Sequence, residues 1–182
     1  DWNSDVCSSD LTSTSDTTVC LASGAAGAVD RGALRDALHE VLLSLTKQIA
    51  RDGEGAEKLI EVRVDAARDE EQAATVARAI VNSPLVKTAV HGADPNWGRV
   101  AMAVGKCSDE RGIEESNVVI RFGNQEVFPV QVDESGLARL ADYMRGTNVR
   151  IHVSLGLASG AWTVYGCDLS DGYVRINADY TT

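Results

Sequence analysis

The chain has 182 residues, of which 44% are hydrophobic and 24% charged, the composition of a folded protein with one or at most two domains. Its 17 basic and 27 acidic residues give a net charge of −10, so it lacks the positive charge that binds a phosphate backbone, and we expect no nucleic-acid partner. No stretch reaches the ~20 apolar residues of a membrane helix and the polar, acidic start is unlike a secretory signal, so we also expect no membrane partner.

The four cysteines, Cys7, Cys20, Cys107 and Cys167, are scattered along the chain. They form no Cys-x-x-Cys pair and no histidines cluster beside them, so the pattern does not predict a zinc site. Four widely spaced cysteines are also unlike the disulfide framework of a small secreted protein. We expect reduced thiols in a cytoplasmic protein that holds no metal.

Residues 1–11 show neither helical nor strand periodicity, and their single tryptophan lies among small polar residues. The string resembles a translated sequencing adapter, with Asn3 where that string has serine. A natural, unstructured tail is the alternative. We expect this segment to lie outside the fold, and residues 12–182 to be a truncated fragment whose natural start is missing.

The first elements of the remaining chain follow a polar run at 12–18. Residues 19–24 predict a short strand. The clearest helix comes next, because Asp30 is a suitable N-cap and Gly53 a suitable stop. Between them, apolar residues at helical spacing form one wide stripe, made of Leu34, Leu38, Val41, Leu42, Leu45 and Ile49.

The middle of the chain alternates strands and helices. Residues 58–66 alternate between apolar and polar side chains, which predicts a half-buried strand. Asp69 starts a second helix through a capping-box-like pattern with Gln72. Residues 85–91 predict another strand, and residues 94–105 a short helix whose Asp-Pro start supplies the N-cap and the first turn.

The last third predicts a hairpin first, because the strands at 118–122 and 126–130 flank Gly123-Asn124. The later elements, in chain order, are a helix at 137–144, a strand at 149–155, its antiparallel partner at 161–167 and a final helix at 171–178. Single helical crossovers early and hairpins late indicate an α/β or α+β layered domain with a mixed sheet. No linker divides residues 24–182 into two domains.

No catalytic motif recognisable by spacing is present, and His39 and His152 are most simply surface residues. Two segments are more informative. Glu54 lies between two glycines, where the backbone can approach closely and a carboxylate can face a cleft, although a polar turn is the ordinary explanation. Residues 91–99 combine a Gly-rich turn with a Trp and an Arg, which fits either a shaped surface or a helix start that packs Trp97 into the core.

Several long strings, in order, resemble one family. They are His91-Gly-Ala-Asp-Pro-Asn-Trp-Gly-Arg99, Asp52-Gly-Glu-Gly-Ala56, Val81-Asn-Ser-Pro-Leu-Val-Lys-Thr88, Gly166-Cys-Asp-Leu169 and Val174-Arg-Ile-Asn-Ala-Asp-Tyr-Thr-Thr182. They are similar to the C-terminal part of the β chain of ornithine acetyltransferase, also called bifunctional glutamate N-acetyltransferase. Residues 12–16 resemble that family's Thr-Ser-Thr-Asn-Asp segment, with Ser15 in place of Asn. The resemblance implies the self-processing, DmpA/ornithine acetyltransferase-like fold.

The resemblance also implies a mechanism. Family members cut themselves before a threonine, and this new N-terminal threonine takes acetyl from N-acetylornithine and passes it to glutamate in arginine biosynthesis. The α chain supplies the oxyanion hole, and the expected assembly is an α2β2 heterotetramer. The nucleophile lies upstream of residue 12, so this chain holds no catalytic residue of the family. No cofactor is implied, but some members use acetyl-CoA as a co-substrate.

The family's substrate-binding residues map onto Glu54, Asn177 and Thr182. Glu54 suits the ammonium group of ornithine, and Asn177 suits a carboxylate or acetamide group. Two other functions stay open: a non-catalytic binding or assembly fragment, and a self-processing aminopeptidase of the same fold.

Overall fold

The structure of the chain, a computed structural model, describes residues 17–25, 27–107 and 112–179. The segment 1–11, the run at 12–16 and the predicted binding residue Thr182 lie outside the described residues. Among the described cysteines, Cys20 is exposed and Cys167 is buried, and both are thiols.

A five-stranded mixed sheet organises the chain. Its strands are β1 (Leu59–Ala67), β2 (Val119–Phe122), β3 (Gln125–Phe128), β4 (Asn148–Ser154) and β5 (Gly160–Cys167). They are arranged in the order β3-β2-β4-β1-β5, with β1 and β4 parallel and every other neighbouring pair antiparallel. The predicted fold class, a layered α/β domain with a mixed sheet, is confirmed.

Six α-helices accompany the sheet in the described residues. They are α1 (Arg31–Arg51), α2 (Glu70–Val81), α3 (Pro84–His91), α4 (Trp97–Gly105), α5 (Glu134–Met144) and α6 (Asp171–Ala178). Five begin at a side chain that accepts the N–H three residues on, namely Asp30, Asp69, Asn96, Asp133 and Ser170. The predicted caps Asp30 and Asp69 are therefore confirmed.

The main core lies between one face of the sheet and the layer that contains α2, α3 and α4. Alternate residues of β1 enter it, and Ile60, Val62 and Val64 are fully buried there against Ile80 of α2. Burying one such side chain stabilises the fold by roughly 1.5–3 kcal/mol. The other face carries a small apolar cluster where α1 packs, made of Ala50, Leu59 and Tyr165. Beyond it this face is polar, with Arg150 bonded to Glu61 and His152 bonded to Asp65, each at 2.8 Å.

Two predicted strands are wrong. Residues 19–24 are exposed and form no strand. Residues 85–91 belong to α3, which starts with Pro84 in its first turn and buries Val86 and Val90 one helical turn apart on the core side. β-branched residues are common in strands, but here their spacing of four fits a helix.

Two details of the later elements also differ from the predictions. The cap of α4 is Asn96, whose side chain accepts the N–H of Arg99, and not Asp94. β5 pairs with β1 and not with β4. The reason lies in the β4–β5 connection, where Leu155 and Leu157 donate to carbonyls at the end of β1, so the chain crosses that end and returns on its other side.

The helix predicted between Asp30 and Gly53 is confirmed as α1, but its apolar stripe faces away from the sheet. Thr46 and Ala50 are the buried residues of α1. Five members of the stripe, Leu34, Leu38, Val41, Leu45 and Ile49, are 38% to 54% exposed, and the sixth, Leu42, is half-buried one turn before Thr46. No described helix is long and apolar enough to cross a membrane.

Candidate functional site

The loop between α1 and β1 is held against the start of α6. Gly55 has a φ of +65°, and a Cβ on it would lie 2.3 Å from the backbone nitrogen of Tyr173. Only glycine fits such a close approach of two backbones. Ser170, the N-cap of α6, donates its hydroxyl hydrogen to the carbonyl of Gly55. The loop and the helix are therefore one packed unit, although they are more than a hundred residues apart in the sequence.

This packing brings together two of the residues predicted to bind substrate. The side-chain nitrogen of Asn177 donates to the carboxylate of Glu54 at 2.8 Å and to the carbonyl of Tyr173 at 3.0 Å. Both side chains face solvent. A carboxylate and an amide held side by side can accept hydrogen bonds from an ammonium group and donate them to a carboxylate or an amide oxygen.

A buried carboxylate behind this pair was not among the predicted site residues. Asp168 follows β5, and its side chain is fully buried. One of its oxygens accepts the backbone N–H groups of Glu57 at 2.9 Å and Lys58 at 2.8 Å. The other lies 2.9 Å from Nδ1 of His91 at the end of α3. The only sequence signal for Asp168 is its place in the Gly166–Leu169 string, which carries the resemblance but no assigned role.

Lys58 reinforces the same junction from the other side. Its ammonium group is buried and donates to the carbonyls of Val90 at 2.8 Å, His91 at 3.0 Å and Met144 at 2.8 Å. These are final-turn carbonyls of α3 and α5, which have no partner inside their own helices. A cation at the end of a helix is also stabilised by the helix dipole. The start of β1 is thus fixed to the ends of two helices.

Glu57, His91 and Asp168 form the one group of metal-ligating side chains in the described part of the chain, with ligand atoms within 4.8 Å of one another. The geometry fits hydrogen bonding better than metal binding. Tetrahedral ligands at the usual ~2.0–2.1 Å from zinc lie about 3.3 Å apart, whereas the nitrogen of His91 is 2.9 Å from Asp168. The two backbone N–H groups already take the other oxygen of Asp168. The expected absence of a metal stays a prediction.

Comparisons with known proteins decide the family. A sequence model described as the ArgJ family matches residues 5–182. The chain belongs to the ArgJ family. This confirms the resemblance drawn from the sequence strings.

Individual ArgJ relatives agree with this assignment. The chain is 58% identical over 176 residues to the glutamate N-acetyltransferase Oat2 of Streptomyces clavuligerus, covering 94% of this chain and 45% of that protein. It is 56% identical over 171 residues to the arginine biosynthesis bifunctional protein ArgJ 2 of Nostoc, covering 94% of this chain and 44% of that protein. The chain therefore spans less than half the length of these relatives.

A solved ArgJ structure has the same fold. The crystal structure of the arginine biosynthesis bifunctional protein argJ from Bacillus halodurans matches with a TM-score of 0.86 and 38% identity, covering 96% of this chain and 84% of that chain.

The segment 91–99, one of the strings that resemble the ArgJ family, does not bury its tryptophan in the core. Trp97 is 41% exposed and stacks on Phe128, with ring centroids 4.9 Å apart. Arg99 donates to the carbonyl of Leu85 at 2.9 Å. Of the two interpretations, the structure favours a shaped surface. The predicted surface positions of His39 and His152 also hold, although His152 is paired with a carboxylate.

A sizeable hollow in the described residues does not coincide with the candidate site. It has a volume of about 680 Å³ and opens between α1 and α5, where Lys47, Arg51 and Arg139 contribute to its lining. Glu54 and Asn177 do not line it. In this chain the two residues form an open surface patch rather than a closed pocket.

Proposed function

We propose that this chain is the substrate-binding part of an ArgJ-type acyltransferase, which moves acetyl from N2-acetylornithine to glutamate in arginine biosynthesis. The observation that carries the proposal is the pairing of Glu54 with Asn177 at 2.8 Å in a member of this family. These residues are 123 positions apart in the sequence. Contact between two exposed polar side chains so far apart has two explanations: they bind a polar ligand, or the contact is purely structural. The kinetic experiment below separates these alternatives.

The proposed reaction has two acyl-transfer steps. A threonine hydroxyl in the portion that this chain lacks attacks the acetyl carbonyl, the C–N bond breaks, and the ornithine amine leaves with a proton. The amine of glutamate then attacks the acetyl-threonine ester, forms N-acetylglutamate and restores the threonine hydroxyl. With acetyl-CoA as an alternative donor, a thiol leaves in the first step instead. No cofactor takes part.

The role of this chain in that reaction is to hold the amino-acid substrate. Glu54 accepts hydrogen bonds from the side-chain ammonium group of ornithine, and Asn177 donates to a carboxylate or acetamide oxygen. The hydroxyl of Thr182 completes the set. Hydrogen bonds to charged groups contribute roughly 1.5–3 kcal/mol each, so losing one of these contacts costs about tenfold or more in affinity.

The experiment uses a chimera, in which residues 12–182 replace the matching part of the Streptomyces clavuligerus relative. We expect Glu54→Ala or Asn177→Ala to lower kcat/KM for N-acetylornithine by about 10-fold or more. Glu70→Ala is the control, because Glu70 is an exposed glutamate at the start of α2, beyond the far end of β1. Equal kcat/KM values in all forms would refute the proposed site. Hydrolysis of peptides without acetyl transfer would assign the aminopeptidase function instead.

The proposal also needs a partner, and we propose that the portion carrying the threonine, the α chain included, packs on the apolar stripe of α1. Exposed apolar patches on folded proteins usually mark an interface. This stripe holds five large apolar side chains that are 38% to 54% exposed. The relatives are more than twice as long as this chain, so a covering segment of the same protein exists in them. Two copies of each part would form the expected α2β2 assembly.

Co-purification tests this interface. The chain is co-expressed with the portion of the Streptomyces relative that it does not match, and recovery of the complex is measured. We expect the double substitution Leu38→Glu and Leu45→Glu to reduce recovery at least tenfold. Leu85→Glu is the matched control, because Leu85 is as exposed as Leu45 but lies on α3. Undiminished recovery of the double variant would place the interface elsewhere.

A further inference from the structure

We propose that Asp168 and His91 are positioning residues that hold Glu54 and Asn177 in their binding arrangement. This inference rests on the proposed function. Neither residue touches the proposed substrate position, and both act through the loop that carries Glu54 and through α6, which carries Asn177.

The first step concerns what Asp168 holds. Its side chain is fully buried, and one carboxylate oxygen accepts the N–H groups of both Glu57 and Lys58. These two residues end the loop that begins after α1, and Glu54 lies only three residues before the first of them. A single carboxylate therefore fixes the point at which the loop enters β1.

The second step concerns the other half of the pair. Two residues after Asp168, Ser170 caps α6 and donates to the carbonyl of Gly55. Asn177 lies on the same helix, one turn beyond Tyr173, whose backbone packs against Gly55. Glu54 and Asn177 are thus attached to the same short segment, 168–170, one through the loop and the other through α6.

The third step concerns what holds Asp168 itself. Its remaining oxygen lies 2.9 Å from Nδ1 of His91, the last residue of α3. That helix is anchored in the main core by Val86 and Val90, which are both buried. His91 therefore connects the carboxylate to the rigid layer behind the sheet. Lys58 makes a second connection to the same helix end, through the carbonyls of Val90 and His91.

Binding groups need support of this kind, because an error of about 1 Å in their placement is enough to lose much of their effect. A charged side chain that only interacts with water needs no such support. Behind the exposed pair of Glu54 and Asn177 lie a fully buried aspartate, two backbone N–H groups and a histidine. This support indicates that the position of the pair matters for binding. Both oxygens of Asp168 have partners within the chain, and the carboxylate of Glu57 is 61% exposed to water, so no ion is required for this role.

The test is a set of substitutions in the chimera, with KM and kcat measured for N-acetylornithine. We expect His91→Ala to raise KM at least fivefold and to leave kcat within twofold, because it loosens substrate binding without touching the reacting atoms. His91→Asn should restore KM to within twofold of the unsubstituted value, since an asparagine nitrogen occupies nearly the same place as Nδ1. His152→Ala is the matched control, because it breaks a similar histidine–aspartate pair on the outer face of the sheet.

A double-mutant cycle distinguishes positioning from general damage. If His91 acts through Glu54 and Asn177, His91→Ala should change KM less than twofold when Glu54→Ala and Asn177→Ala are both already present. An unchanged KM in His91→Ala, an equal increase in the background of those two substitutions, or no rescue by asparagine would each overturn this inference alone. If Glu54→Ala itself leaves KM unchanged, the proposed substrate site fails and this inference fails with it, so the two failures give different results.

Discussion

Replacing Asp168 by alanine should destabilise the 182-residue chain by about 2–5 kcal/mol. The substitution leaves the N–H groups of Glu57 and Lys58 without their acceptor, in a part-buried and a buried position. Each unsatisfied buried donor costs roughly 1–3 kcal/mol, and the contact to His91 is lost as well. A loss of ~3 kcal/mol is a large part of the ~5–15 kcal/mol that stabilises a typical domain. For a chain of this size it corresponds to a melting temperature lower by about 6–12 °C.

The measurement is urea unfolding followed by tryptophan fluorescence, with the free energy of unfolding compared at equal m-values. Asp168→Asn keeps an oxygen that can accept both N–H groups, so it should lose clearly less than the alanine variant. Asp65→Ala is a second control, because it breaks the pair with His152 on the half-exposed outer face, where such a contact contributes at most about 1 kcal/mol. An alanine variant at 168 that loses under 1 kcal/mol, or an asparagine variant that loses as much, would show that Asp168 does not hold the loop.

Three further substitutions test other parts of the fold. Gly55→Ala should lower the free energy of unfolding by more than 1 kcal/mol in urea titrations, because its Cβ would lie 2.3 Å from the nitrogen of Tyr173 at a positive φ. Lys58→Met should cost about 2–4 kcal/mol by the same assay, since the carbonyls of His91 and Met144 lose the ammonium donor and that of Val90 keeps just the N–H of Ala93; a neutral effect would contradict the proposed capping. The N–H of Gly136 lowers the pKa of Asp133 from its ordinary value of 3.8, so this carboxylate stabilises the folded state above that pH and the contribution is lost as the pH falls through the lowered pKa. The stability difference between the chain and Asp133→Asn, measured by urea unfolding at pH 7 and pH 3, should therefore be smaller at pH 3.

Local sequence patterns predicted most of the helices and strands, because each pattern depends on residues that are only a few positions apart. The stripe of α1, the alternation in β1 and the final helix at 171–178 depend on side-chain periodicity and on caps, and all three are observed. The segment 85–91 failed because its β-branched residues fit either element over so short a length. Its helical state follows from burial against the core, which no local pattern contains.

The pairing of the strands was harder to predict than the strands themselves. β4 and β5 are neighbours in the sequence and are joined by a short loop containing glycine, the usual signature of a hairpin. In the structure β1, which is some eighty residues earlier, lies between them. Hydrophobic pattern alone does not choose between these partners, because the alternation of β4 and the continuous burial at the end of β5 show that each strand is buried but not which strand lies beside it.

The candidate site was also predicted only in part from the sequence. The sequence resemblance singled out Glu54 and Asn177, and the structure brings them into contact. It assigned no role to Asp168 or His91, because a single aspartate and a single histidine, each inside a longer string, have no distinctive local pattern. Their interaction joins positions 77 residues apart and becomes visible only when the end of α3 meets the residue that follows β5.

The exposed stripe and the candidate site are connected through the geometry of α1. The helix ends at Arg51, and Glu54 follows three residues later, so Ile49, the last member of the stripe, is little more than one turn away from the loop. A segment that packs along this stripe therefore reaches the neighbourhood of Glu54 without any further contact. The same helix would then serve both proposals: its buried side fixes the loop to the sheet, and its apolar side brings the threonine-bearing portion of the enzyme to the substrate. Because the two sides use different residues, substitutions on the stripe should weaken association while Asp168 and His91 still hold the loop.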